Sequence, residues 1–550
     1  MAARLRHFNQ EQSGDLCASR GPEGRSTING CTANGTLFPR SEAGTGPTAS
    51  ARPHRSQDGR LAQWTFDAIT WAARTSGRAG PLRRALANHV ERKIRSRADH
   101  PNPRHPAAVE QDKIALGLGF LSLAERSLAS GSLGAPALRA LLRNLYSGVL
   151  VRRGGASAKE RFRQRHGQTP GDFLVISPGK ACNLRCEGCY ANSGAHKEKL
   201  AWPVFERVVG EAYREWGTRV FIISGGEPLA YRDQGKGVLD LAERFPDCFF
   251  VMYTNGTLVD DEVAKRMGEL GNLSPALSVE GMREATDARR REGVFDKVLV
   301  AMDRLRHEGV LYGISLTATR KNAETILSDT VVDTFFEKKE ARYAFVFHYM
   351  PIGRAYTLDL MMTPEQRFTL FERVWSLIRE RHLFIADFWN SATASNGCLA
   401  AGRAGGYFHV NWNGDVAPCV FLPYTSKNVN EVFEGGGTLD DIWAHPFYAD
   451  IRRWQREYGY REAHETCSGD CGNWIAPCLI RDHHSEFMNL MAEHPDVRPL
   501  DDDAGTAQDD PAYHAGLEEF DRDYEALTGP EWEERYRKGT GKPPAPMKRR

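Results

Sequence analysis

Six short runs of β-forming residues, separated by longer segments with helical spacing, constrain this chain more than any other feature. The runs lie at 173–177, 220–224, 249–254, 275–279, 312–317 and 343–349, all within 171–382. The segments between them place apolar residues three or four apart, as in Trp202, Phe205, Val208, Val209, Ala212 and Trp216. The same spacing recurs in Val298, Met302 and Leu305, and in Phe368, Phe371, Val374 and Leu377. Strands alternating with helices at this interval pair in parallel through crossover helices. The fold class is therefore α/β: a whole or partial β/α TIM-type barrel of about six parallel strands, or an open doubly wound sheet. Either architecture places its chemistry at the carboxyl ends of the strands.

At 550 residues the chain has room for further modules. Of residues 1–60, 23 are Gly, Pro, Ser or Thr, with no apolar period, and a disordered segment is expected there. It has neither the apolar core of a secretory signal nor the acid-poor composition of a transit peptide, so a cytoplasmic protein is expected. Residues 61–170 read as a helical extension, with apolar faces from Ile114 to Val151 that pack on the barrel or, alternatively, meet a lipid surface. Residues 383–485 lose the alternation and gain glycines and cysteines. Residues 486–550 read as a tail with acidic breaks, a short aromatic-rich helix and a basic, proline-rich end. Lys plus Arg number 72 against 71 Asp plus Glu, which gives no drive toward nucleic acid or an anionic membrane. No apolar stretch reaches transmembrane length.

Eight of the eleven cysteines fall in two groups, a distribution typical of metal ligands and not of a disulfide scaffold. Directly after the first strand come Cys182, Cys186 and Cys189, spaced CxxxCxxC. Three thiolates on one loop can ligate three irons of a cubane and leave the fourth open. Structural zinc with His196 as a fourth ligand is the alternative. The second group is Cys398, Cys419, Cys467, Cys471 and Cys478, with an Asn413-Gly414 turn between the first two. Cys17 and Cys31 read as incidental thiols, and Cys248 as a small core residue. His348, His483 and His484 receive no role.

The triplet resembles the signature of the radical S-adenosylmethionine (SAM) superfamily. The resemblance extends through motifs in the family's order: Gly225-Gly226-Glu227-Pro228 after the second strand, Thr254-Asn255-Gly256-Thr257 after the third, Ser278-Val279-Glu280 at the fourth and Pro351-Ile352-Gly353 after the sixth. It implies a SAM-cleaving [4Fe-4S] cluster on Cys182, Cys186 and Cys189, and an electron donor such as flavodoxin or ferredoxin. It also implies a 5′-deoxyadenosyl radical that abstracts hydrogen from a substrate. Gly225, Gly226 and Glu227 would hold the methionyl ammonium, Ser278 and Thr317 would approach the cofactor, and Tyr190 stands next to the adenine position. Two departures are visible: Gly188 occupies the place of the usual aromatic before the third cysteine, and Glu280 replaces the more frequent aspartate. The second group resembles the SPASM and twitch auxiliary domains. One auxiliary [4Fe-4S] cluster on Cys398, Cys419, Cys467 and Cys471 is expected, with Cys478 as substitute or spare and four-thiolate zinc as the alternative. By the same resemblance the substrate is a peptide or protein side chain, with a small metabolite or lipid second. A non-catalytic iron-sulfur or zinc interaction protein is the rival from another class.

Overall fold

The structure is a computed structural model, which describes residues 80–99, 102, 105–145, 156–462 and 471–547. The segment expected to be disordered, with Cys17 and Cys31, and also Cys467, lies outside the described residues.

All six expected strands form: β1 (Phe173–Ile176), β2 (Val220–Ile223), β3 (Phe249–Thr254), β4 (Leu273–Ser278), β5 (Gly313–Ala318) and β6 (Tyr343–His348). Each pairs in parallel with the next. The expected count of about six needs correction, because two more parallel strands join the sheet. Strand β7 (Phe384–Asp387) pairs with β6, and β8 (Tyr407–Val410) pairs with β1 at the other side. Each is four residues long; in β7 that is too short for a period-2 pattern to stand out, and in β8 the alternating Phe408 and Val410 point to a hairpin arm and not to a partner of β1. The cysteine-rich segment thus contributes a strand to the same sheet as the barrel. From β8 the chain turns at Gly414 (φ +87°) into the antiparallel strand β9 (Asp415–Ala417).

The alternation of side chains along these strands makes the interior. Leu174, Ile176, Phe221, Ile223, Phe250, Met252 and Val346 point outward under the helices and are almost wholly buried. Burying each contributes about 1.5–3 kcal/mol, and a one-residue slip of register would turn all of them inward. Their neighbours Phe173, Val175, Ile222, Tyr253, Phe345 and Phe347 face a central cavity of about 410 Å³. The helices that cover the sheet include α5 (Trp202–Glu211), α6 (Val238–Arg244), α7 (Asp261–Leu270), α8 (Arg283–Arg290), α9 (Val294–His307) and α10 (Pro364–Arg381).

Before the sheet come α1 (Gly80–Arg95), α2 (Ala107–Ser130), α3 (Ala135–Leu145) and α4 (Ala156–His166). Helix α2 is buried on every side and lies against β7, where a Cβ on Gly119 would stand 2.9 Å from the carbonyl of Leu383. Its Leu116 reaches the central cavity. Its Asp112, 1% exposed, accepts hydrogen bonds from Arg379, Thr393 Oγ1 and Tyr536 Oη. The described part of the extension is therefore part of the barrel's own packing. The aromatic C-terminal segment is not a short helix but one of 21 residues, α11 (Pro511–Glu531), whose Tyr524 lies under the guanidinium of Arg367 at 3.7 Å. Pro at its first turn and two hydrogen bonds accepted by Asp510 start it. Among the described residues, no helix is long and apolar enough to cross a membrane.

Candidate active site and auxiliary cysteine site

Cys182, Cys186 and Cys189 all face the central cavity, on the loop that follows β1. Three strand ends hold that loop in place. At the end of β2, the amides of Gly226 and Glu227 donate to the carbonyls of Gly179 and Ala181 at 2.9 and 2.8 Å. A Cβ on Gly226 would fall 2.1 Å from the Ala181 oxygen, and Gly225 has φ +110°. The glycine pair therefore makes room for the cysteine loop's own backbone. From the end of β3, Asn255 Nδ2 donates to Asn183 Oδ1 at 2.8 Å and reaches Cys182 Sγ at 3.8 Å. After β6, Gly353 (φ +68°) sits where a side chain would strike the Tyr190 carbonyl. The next residue, Arg354, donates to the carbonyls of Cys186 and Ser193, and its amide to that of Cys189.

The surroundings of the sulfurs suit an anionic centre. Besides Asn255, the Leu184 amide donates to Cys182 Sγ at 3.4 Å, and Arg290 Nη1 lies 3.9 Å from Cys186 Sγ. Burial pushes the Cys182 thiol up to about 11, so deprotonation there requires a compensating positive partner such as bound iron. Arg289 and Arg290, from α8, both contact Oε1 of Glu280 and both border the cavity. Oε2 of Glu280 accepts from the Thr317 amide at 2.9 Å. Two guanidiniums against one buried carboxylate leave an excess of positive charge beside the thiols.

The carboxylate of Glu227 is 2% exposed and already has three donors: Thr254 Oγ1 at 2.7 Å, the Asn255 amide at 2.8 Å and the Leu229 amide at 3.1 Å. Burial pushes its pKa up, against those hydrogen bonds. Glu227 therefore ties the end of β2 to the end of β3, and Gly225 and Gly226, not its carboxylate, border the cavity. Tyr190 points toward the same turn, with its Oη 2.7 Å from Ser224 Oγ and accepting from the Gly225 amide at 3.1 Å. Ser278 and Thr317 face the cavity as well. Tyr349, from the end of β6, packs its ring onto Gly188, where a Cβ would come within 2.5 Å of it. The aromatic missing before the third cysteine is thus replaced in space by one from another strand.

Leu399, Val420 and Phe421, next to cysteines of the second group, line the same cavity, although those cysteines do not. Cys398, Cys419 and Cys478 are close enough for the charges of neighbouring sulfurs to add to burial in raising the thiol pKa of Cys419 and Cys478, the latter to about 11. Cys478, expected as a spare, therefore stands with the first two. Cys471 is buried, with Sγ 3.9 Å from the Gly459 carbonyl. Among the described residues, no three Cys, His, Asp or Glu side chains close to the spacing that surrounds a single ion; the cysteines are neighbours, not a closed ligand set. Cys248 is buried in the core, as expected. His348 lines the cavity, stacks on Trp389 and bonds Asp387 at 3.2 Å, while burial holds its pKa down at about 4.

Sequence reasoning passed over Arg289, Arg290, Tyr349, Arg354, Trp389 and Tyr407. The arginines of α8 had one usable signal, a run of three basic residues, Arg289 to Arg291, at the end of that helix; Trp389 had none, because nothing marks β7, and Tyr407 stands directly before the alternating Phe408 and Val410 of the hairpin-like element without belonging to that pattern.

Residues 176–322 match the model of the radical SAM superfamily, and residues 398–472 match that of SPASM, an iron-sulfur cluster-binding domain. The chain is 30% identical over 184 residues to Fe-coproporphyrin III synthase of Methanosarcina barkeri, covering 33% of this chain and 45% of that enzyme, which is less than half the relative's length. It is 26% identical over 312 residues to the mycofactocin maturase MftC of Mycolicibacterium smegmatis, covering 53% of this chain and 75% of that one. The crystal structure of Streptococcus suis SuiB bound to precursor peptide SuiA aligns with a TM-score of 0.47 and 20% identity, over 64% of this chain and 80% of SuiB. A barrel whose first strand delivers three cysteines to its cavity therefore carries the radical SAM domain match over residues 176–322, and the segment after it the SPASM match over residues 398–472.

Proposed function

We propose that the chain holds a [4Fe-4S] cluster on Cys182, Cys186 and Cys189, cleaves SAM there reductively, and abstracts hydrogen from a peptide or protein side chain placed in the central cavity. The observation that carries this reading is the cavity itself, which is lined by the cysteine triplet, by the barrel interior and by Tyr407, Val420 and Phe421 of the auxiliary segment. When bound, the cluster supplies the electron that splits SAM into methionine and a 5′-deoxyadenosyl radical.

The chain's own residues do the rest. The Gly225–Gly226 turn, fixed from behind by Glu227, receives the methionyl ammonium, and the excess positive charge of Arg289 and Arg290 receives the carboxylate. Ser278 and Thr317 offer hydroxyls to the ribose, and the Tyr349 ring offers a flat face to the adenine. The aromatic wall of Phe345, Phe347, Phe388 and Phe421 keeps water from the radical. The catalytic barrel, in this reading, runs from β1 to β8 and shares β8 with an auxiliary cluster site that includes Cys398, Cys419 and Cys478. A reducing, cytoplasmic setting and a low-potential donor of the flavodoxin or ferredoxin type go with it.

Similarity to a maturase favours a peptide side chain. Similarity to Fe-coproporphyrin III synthase, together with the apolar cavity wall, favours a small metabolite as the second reading. Reduced enzyme incubated with SAM and substrates deuterated at candidate carbons separates the two. Deuterium in 5′-deoxyadenosine from a peptide supports the first; transfer from a metabolite and never from a peptide overturns it.

A further inference from the structure

An aromatic side chain stands between the central cavity and the auxiliary cysteines and aims its polar hydrogen at a sulfur. Tyr407, on β8, is fully buried, and its Oη lies 2.9 Å from Cys419 Sγ. That oxygen also accepts a hydrogen bond from the Val420 amide at 3.3 Å, which leaves the phenol's own proton for the sulfur. A thiolate has no proton to give, so with iron bound the phenol is necessarily the donor of this pair. The Tyr407 ring is held by Phe173, stacked at 4.9 Å and 18°, and by Phe388 at 6.1 Å.

Hydrogen bonds to ligating sulfurs withdraw electron density from the thiolate and favour the reduced, more negative cluster. We infer that Tyr407 is the hydrogen-bond donor to an auxiliary-cluster thiolate, Cys419, and that it sets that cluster's reduction potential. This rests on the proposed auxiliary cluster and goes beyond it, since it gives a residue outside the cysteine motifs a positioning role. Tyr407 also borders the cavity and so couples it to the auxiliary site.

The test uses the full chain carrying Cys182→Ala, Cys186→Ala and Cys189→Ala, so that iron in the protein belongs to the auxiliary site. An EPR-monitored redox titration compares this protein with a version that also carries Tyr407→Phe, which keeps a packed ring and loses the donor. The variant is expected to lower the equilibrium for reduction about tenfold, which is ~59 mV more negative for a one-electron couple. In parallel, electron-nuclear double resonance of the reduced cluster in deuterated buffer should show an exchangeable deuteron near a ligating sulfur that disappears in the variant. An unchanged potential with iron retained, or absence of that exchangeable coupling in the protein with Tyr407 intact, overturns the inference. A background protein that holds no iron at all overturns the auxiliary-cluster reading on which it rests. Should the ring variant fail to assemble the cluster, the resonance measurement on the protein with Tyr407 intact still decides.

Discussion

Replacing Glu227 by alanine tests whether this carboxylate is a tie between strand ends or a direct partner of the cofactor. In the wild-type chain it accepts from Thr254 Oγ1, the Asn255 amide and the Leu229 amide. Hydrogen bonds to a charged acceptor contribute about 1.5–3 kcal/mol each, roughly 4–9 kcal/mol for three. Part of that is offset because burial disfavours the ionised carboxylate, the direction in which its pKa is shifted. Glu227→Ala, which leaves three buried donors unanswered, should therefore destabilise the barrel by about 3–5 kcal/mol. Glu227→Gln keeps the shape and, through its one carbonyl oxygen, two of the three hydrogen bonds, and should cost about 1.5–3 kcal/mol. Urea denaturation of the anaerobically purified proteins measures both. Calorimetry should show SAM affinity falling about ten- to a hundredfold in the alanine variant, because the Gly225–Gly226 turn loses its anchor. An alanine variant as stable as wild type that nevertheless binds SAM weakly would refute the tie and return the carboxylate to the cofactor's ammonium.

Two further outcomes follow from the same geometry. Gly226→Ala places a methyl group 2.1 Å from the Ala181 carbonyl, so the cysteine loop must move; iron analysis should show about four fewer irons per chain, and full retention would mean the loop tolerates the shift. Asp521 has its carboxyl raised to about 7 by burial first and then by Asp482, Glu486 and Glu525. Since the folded value lies above the unfolded one of 3.8, wild-type stability falls as pH rises between 3.8 and about 7. Asp521→Asn should therefore stabilise the protein by on the order of 1 kcal/mol at pH 8 and not at pH 4, solvent screening keeping the effect small at this half-exposed site. Equal thermal melts of variant and wild type at pH 8 would count against it.

The parts of the fold visible in the sequence are those with a long or repeated signal. Six strands alternate with helices whose apolar faces recur at 3.6 residues, and all six form. Strand β7 is four residues long and flanked by loops, so nothing in its composition marks it; the alternating Phe408 and Val410 before the Asn413-Gly414 turn mark β8 as one arm of a hairpin, but its place beside β1 depends on a contact more than 200 residues apart in sequence. The burial of α2 was legible only as an apolar helix, because what it meets is β7. Likewise the cysteine triplet and the glycine pair were legible from spacing, whereas their mutual arrangement was not: Gly226 faces the Ala181 carbonyl, and Tyr349 fills the space above Gly188. Glu227 shows the difference most clearly. Its residue type and position point to cofactor binding, whereas the three donors that make it a tie between strand ends become visible only in the structure.

In the proposed function the triplet on the β1 loop generates the radical and the second cysteine group does not. Wild-type protein and the triple variant Cys182→Ala, Cys186→Ala and Cys189→Ala, both reconstituted anaerobically and reduced, can be incubated with SAM and assayed for 5′-deoxyadenosine. Product is expected from wild type and none from the triple variant, although the variant still carries auxiliary iron. Product formed by the triple variant, or none formed by fully reconstituted wild type, would overturn that assignment.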